Sequence, residues 1–162
     1  MAVLSDEVYC LLVPLQEERL IVPRSCVAEV IRDSLPQSDE NSDNWLCGQV
    51  EWNGREIPVI SFERLCGQRV ASGGSRSRIV IFNAILEGPG AQHYGVVCEG
   101  FPQMVRVNAE VTEVDPDYTP PQSAPVVCRV RLINEQALIP ALDELETIIR
   151  DAQVTDQVLD EA

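Results

Sequence analysis

The chain has 162 residues, 45% hydrophobic and 23% charged, enough for one ordinary domain with its own core, and no apolar run approaches the roughly 18 residues of a membrane span. Its formal charge is −14, from 26 acidic residues against 12 basic ones that are all arginine, which disfavours free nucleic acid and anionic lipid as partners. Met1 to Asp6 has neither the basic stretch nor the cleavage site of a secretory signal, so a cytoplasmic location is expected.

Along the chain, apolar residues recur mainly with period two, the mark of strands. Val8 to Leu15 and Arg19 to Pro23 read as strands around the acidic turn Glu17-Glu18. Ser25 to Ile31 places Val27, Val30 and Ile31 on one stripe and predicts a short helix. A polar, acidic loop from Leu35 to Asn44 follows, with Asp39, Glu40 and Asp43. Cys47 to Trp52 and Arg55 to Ser61 flank Asn53-Gly54, a strong hairpin signal because both residues tolerate the positive φ of a type I′ turn. Ser61 to Cys66 reads as one helical turn closed by Gly67.

After the loop Gln68 to Ser77, strands are predicted at Arg78 to Ile85, His93 to Glu99 and Gln103 to Val107. Asp115 to Pro125 holds four prolines and can contribute little to a ladder. Val126 to Ile133 and Ala137 to Pro140 form a hairpin over Asn134-Glu135-Gln136. The last element is a helix from Ala141 to Val158, with Leu142, Leu145, Ile148 and Ile149 on one face and Asp143, Glu144 and Glu146 near its positive end. Beyond Arg150 polar residues take over, and the end is expected to fray from Thr155. The chain is therefore mainly β, with a domain over residues 8–150 and an acidic tail over 151–162. Loop 68–77 divides the strands into two groups, which predicts two small barrels.

Catalytic arrangements are absent from the pattern. Cys10, Cys26, Cys47, Cys66, Cys98 and Cys128 stand at least 16 residues apart, mostly in apolar surroundings, so reduced core thiols are expected, with neither paired zinc spacing nor any metal or cofactor. His93 reads as an exposed edge residue. Ser72-Gly73-Gly74-Ser75 lacks the lysine of a phosphate loop, and Gly88-Pro89-Gly90 is a turn. Arg64, Arg69, Arg76 and Arg78 form a local basic excess read as a solvated loop. Such a barrel is a binding module, not an enzyme.

The run Leu20 to Val30, then Cys47-Gly48-Gln49-Val50-Glu51-Trp52-Asn53-Gly54-Arg55-Glu56-Ile57-Pro58-Val59-Ile60, resembles the CheW-like chemotaxis coupling proteins. In that family a strand leads into a "V-x-E-I/V" segment, and a turn glycine precedes an "I-x-P-V-I-D-L" strand. Tyr94 to Gly100 is similar to a second family strand, and Ala137 to Leu145 to its closing strand and helix. The resemblance implies two interlocked five-stranded SH3/OB-like barrels and a non-catalytic adaptor. Its partners would be the regulatory domain of a chemotaxis-type histidine kinase and a methyl-accepting chemoreceptor. It implies partner contacts at Val27, Glu29 and Asn53 and turn glycines at Gly48, Gly54 and Gly95; for Val27 a buried helix residue is an equal reading. Asn53, Ser61 and Glu99 depart from the family's arginine and aspartates, which suggests a diverged member, such as one serving type IV pili and twitching motility. The alternative is a small-barrel nucleic-acid or oligosaccharide binder using Trp45, Trp52, Tyr94 and Phe101 as stacking platforms.

Overall fold

The computed structural model describes residues 7–39, 44–71, 73–90 and 92–161, residues 154–161 by backbone alone. The strands are β1 (Val8–Pro14), β2 (Arg19–Pro23), β3 (Val27–Arg32), β4 (Leu46–Trp52), β5 (Arg55–Ile60), β6 (Ser77–Asn83), β7 (His93–Glu99), β8 (Gln103–Val107), β9 (Glu113–Val114), β10 (Val126–Arg131) and β11 (Gln136–Pro140). Two helices, α1 (Phe62–Leu65) and α2 (Leu142–Glu161), complete the fold. Glu40, Asp43 and Ser72, singled out in the sequence, lie outside the described residues.

The strands form two mixed sheets, a six-stranded one ordered β8-β1-β2-β11-β10-β9 and a five-stranded one ordered β3-β6-β7-β5-β4. Each is built from antiparallel pairs joined by one parallel contact, Leu20 beside Leu138 in the first and Val59 beside Gly95 in the second. The chain changes sheet between β2 and β3 and again between β7 and β8. Loop 68–77, expected to separate the lobes, lies inside the five-stranded sheet between β5 and β6. The two sheets are thus interlocked: the six-stranded one takes both ends of the strand sequence.

The segment read as a helix from Ser25 to Ile31 is corrected to a 3-10 turn, Arg24–Cys26, followed by strand β3. A bulge between Val27 and Glu29 shifts the register against Phe82 and Ile81 of β6. One extra residue turns a period of two into an apparent period of three, which mimics a helical stripe. β6 also needs this neighbour, because its backbone groups facing away from β7 require partners.

Period-two alternation serves two buried faces. In β6, Val80 and Phe82 point into a core shared by both sheets, while Ile79 and Ile81 fill a second cluster with Val50, Ile57 and Val59 inside the five-stranded sheet. In β1, Val13 joins the shared core and Cys10 and Leu12 join a third cluster with Ile21, Val130 and Ala137. Each such isoleucine or leucine stabilises the fold by about 1.5–3 kcal/mol when fully enclosed.

Helix α2 closes the shared core with Leu145 and Ile149. Its Glu146, 2% exposed, accepts hydrogen bonds from the amides of Ile85 and Leu86 at 2.9 and 3.0 Å. Arg150 donates to the carbonyls of Leu86 and Glu87. The helix thereby holds the β6–β7 loop of the five-stranded sheet. At α1, the Ser61 hydroxyl caps the turn by accepting from the Arg64 amide.

Two of the three glycines expected in turns are not there. Gly54 is: with Asn53 at φ 50° and Gly54 at φ 76° the hairpin tip has the predicted handedness. Gly48 sits at a bulge within β4, with φ 146°. Gly95 lies inside β7, where a Cβ would meet Ile79 Cγ2 at 2.5 Å and Val59 Cγ2 at 3.2 Å. It is a close-packing glycine between central strands. Gly95→Ala should therefore lower unfolding stability in urea by about 1–3 kcal/mol through overpacking. Gly54→Ala meets no atom within 4 Å and should cost only the left-handed backbone penalty, about 1–2 kcal/mol.

Candidate partner-binding groove

A surface groove of about 650 Å³ runs where the chain passes from the six-stranded to the five-stranded sheet, lined by Val8, Tyr9 and Leu11 of β1 and by Pro23, Val27 and Ala28, with the polar Glu7, Arg24 and Ser25 among them. Val8 is 45% and Tyr9 53% exposed. Met104 of β8, 57% exposed, pairs with Leu11 and extends the apolar surface. Val27 is half-buried: it packs against the shared core and also lines the groove, so both readings of it hold in part. Large exposed side chains gathered along one groove are the feature that distinguishes a binding surface from scattered surface apolar residues.

Glu29 and Asn53 stand at a different place. Glu29 Oε2 accepts a 2.6 Å hydrogen bond from Trp52 Nε1, although β3 and β4 are opposite edges of their sheet. The sheet curls until its edges meet through side chains. Trp52 packs on His93, ring centroids 4.8 Å apart, and the Asn53-Gly54 tip follows directly. The structure therefore joins Glu29 to the β4–β5 hairpin but leaves both outside the groove that holds Val27. Glu29 is on a strand, not at a helix end. His93, read as an edge residue, begins a central strand.

Other sequence readings also change. Of the basic group, Arg64 is 6% exposed and donates to the carbonyls of Val70, Asn44 and Asp39 and to the Ser38 hydroxyl, anchoring loops on both sides of α1. Arg78 lies 5.1 Å from the Phe101 ring centroid, a cation–π contact. The aromatic residues offer no shared platform: Tyr94 is 1% exposed and stacks on Phe82, whereas Phe101 is 68% exposed. Tyr9 and Met104 were missed in the sequence, because exposure on a strand adjoining an edge depends on which sheet the strand enters.

Residues 9–151 match the family model described as "CheW-like domain". The chain belongs to the CheW-like family. Among solved structures it is similar to the scaffolding protein TtCheW from Thermoanaerobacter tengcongensis, at 19% identity, with 82% of this chain and 88% of that one covered and a TM-score of 0.64. That likeness shows the CheW fold. No curated protein sequence matches the chain. No helix among the described residues is long and apolar enough to cross a membrane, and no group of three or more His, Cys, Asp or Glu side chains among them could hold a metal ion.

The six cysteines of this CheW-like chain form no disulfide. Burial pushes the Cys98 thiol up to about 12, helped by the Glu99 charge, and the Cys66 thiol up to about 11, helped by Glu63. Burial also raises the Tyr94 phenol, with the Glu146 carboxylate as the second cause. The folded protein keeps these protons to higher pH than the unfolded chain, so the folded state binds more protons above the ordinary thiol value of 9.0. Stability should fall as pH rises from 9 towards 12. Urea midpoints at increasing pH should show that fall, and Cys98→Ala should flatten it.

Proposed function

We propose that the chain is a non-catalytic adaptor that couples methyl-accepting chemoreceptors to the regulatory domain of a chemotaxis-type histidine kinase, with the Tyr9–Val27 groove as its main contact surface. The supporting observation is an exposed groove at the crossing of the two sheets, with Val8, Tyr9 and Val27 beside Glu7 and Arg24, in a chain whose family membership rests on residues 9–151. An adaptor of this kind works in the cytoplasm and is recruited to membrane-bound receptor arrays by contact alone. The motility system we favour is the type IV pilus, on the departures at Asn53, Ser61 and Glu99 alone. The folded unit is taken as residues 8–150 and the acidic tail as 151–162.

The test is affinity, by calorimetry, for the kinase regulatory domain and the cytoplasmic tip of a receptor from the same bacterium. Tyr9→Ser removes an exposed aromatic that makes no core contact, so the melt should hold within about 0.5 kcal/mol. Binding should weaken by about 2 kcal/mol or more, roughly 30-fold, if Tyr9 anchors the interface. Unchanged affinity for both partners would remove the groove from the proposal.

Glu29→Lys places a cation where a carboxylate accepts the Trp52 N–H and should destabilise the seam by about 1 kcal/mol. If the seam is also a partner contact, affinity should fall further than the melt explains. Asn53→Arg should lower stability by about 1 kcal/mol, because φ is positive there, and should raise receptor affinity if the family arginine is what the swimming-type receptor recognises. A chain ending at Arg150 should keep both melt and affinity.

A further inference from the structure

Two arginines face each other across the β3–β6 ladder. Arg32 stands opposite Arg78, one step beyond Ile31 opposite Ile79, so their Cβ atoms are about 5 Å apart. By strand alternation both lie on the face that carries Val30, Val80 and Phe82 into the shared core, at the end of the ladder. Like charges directly opposite destabilise a sheet. Elsewhere the chain gives its arginines carboxylates: Arg19, Arg106, Arg129 and Arg131 each form an ion pair. Among the described residues, exposed Arg32 makes no ion pair or hydrogen bond, and neither does exposed Arg76 in the turn before β6. The hydrogen bonds of Arg78 run from Nη1 alone, to the carbonyls of Ser75 and Ser77, and its guanidinium lies against the exposed Phe101 ring. The carboxylates next to this pair in the strands serve the other face. Ser77, which alternates with Arg78, donates to Asp33 Oδ2 at 2.6 Å and stands opposite Glu99.

We propose that Arg32, Arg78 and Phe101 form a docking surface for a partner helix that presents two glutamates one turn apart and an apolar residue on the same stripe. Carboxylates settling between the two guanidiniums relieve their repulsion and add charge-assisted hydrogen bonds that the free protein lacks. Spacing selects the form of the occupant. Glutamates at i and i+4 of a helix have Cβ atoms about 5–6 Å apart, which matches the cross-strand pair, whereas i and i+2 of a strand stand about 7 Å apart. Phe101 adds exposed aromatic surface beside the charges, and arginine with aromatic side chains is the usual make-up of interface hot spots. The formal charge of −14 does not cancel this attraction: at about 0.1 M salt the screening length is about 10 Å, so the guanidiniums act locally while distant carboxylates are muted. The surface shares no residue with the groove at Tyr9 and Val27, and the inference goes beyond the adaptor reading by naming a second contact and the chemistry of what fills it.

The probes are alanine-based peptides of roughly 18 residues, long enough to hold a helix, titrated into the full chain by calorimetry at about 0.1 M salt. One carries Glu at i and i+4 with Leu at i+7. The comparisons carry Gln at both charged positions, or Glu at i and i+2 on different faces. Saturable binding of the first peptide, at least about tenfold tighter than either comparison, supports the surface. Arg32→Glu should abolish that binding and raise the melt by about 1–4 °C, because a like-charged cross-strand pair becomes an opposite one. The rise separates lost docking from a damaged fold. Phe101→Ser removes an exposed ring and should weaken binding about tenfold at an unchanged melt. No saturable binding, equal binding of the Gln peptide or of the i, i+2 peptide, or unchanged affinity in Arg32→Glu would overturn the proposal. A lowered melt in Arg32→Glu would show the pair to be supported within the chain and overturn it too. Self-association of the chain that Arg32→Glu abolishes, read by analytical ultracentrifugation, would assign the surface to a second copy instead.

Discussion

The fold depends on sheets that are buried on both faces. β6 and β7 carry one set of side chains into the core between the sheets and the other into the curl of their own sheet, so the middle of each strand is apolar on both faces. This is why Ile79, Val80, Ile81 and Phe82 form an unbroken apolar run that would be costly on a one-sided sheet. It is also why Gly95 has no room for a methyl group: Val59 and Ile79 close over it from the neighbouring strands. One buried carboxylate enters this interior to finish a backbone. Glu146 does so by accepting the Ile85 and Leu86 amides.

A curled sheet with two edges must do something with them. In the five-stranded sheet the edges β3 and β4 are joined by side chains instead of a ladder: the Trp52–Glu29 hydrogen bond at one end and Leu35 against Gly48 at the other. Closure of this kind leaves backbone groups less fully committed than a continuous barrel would, but it also covers them sterically, which limits edge-to-edge association. Arg64 fixes the connection that makes Leu35 available, because its guanidinium holds the carbonyls of Asp39 and Asn44 at the far side of that loop.

Most of the architecture was legible. Nine strands and both larger helical elements appear in the sequence because alternation, Asn53-Gly54 and the Ser61 cap are local signals, fixed by residues within a few positions of each other. What failed was non-local. β3 was hidden by a bulge whose position depends on β6, fifty residues away in rough terms of chain, and β9 is two residues long. Beyond the hairpin pairs, the allocation of strands to sheets could not be read, since Leu20 beside Leu138 and Val59 beside Gly95 are parallel contacts with no turn to announce them. The site suffered for the same reason. Val27, Glu29 and Asn53 were selected by resemblance, and the topology then divided them between a groove and a seam.

That division has a physical cause in β3 itself. The bulge between Val27 and Glu29 changes which face each presents, so Val27 turns toward the crossing of the sheets while Glu29 meets Trp52. One short strand thus serves two surfaces. The groove side offers apolar contact from Tyr9 and Val27 beside the charges of Glu7 and Arg24. On the seam side it is a carboxylate already engaged by an indole, at the edge of a chain with a formal charge of −14. A partner approaching the seam gains from opposite charge at long range and loses the Trp52 hydrogen bond if it takes Glu29 for itself. Electrostatics there governs approach more than hold. The groove differs from the seam in leaving its large apolar side chains, Val8 and Tyr9, about half exposed.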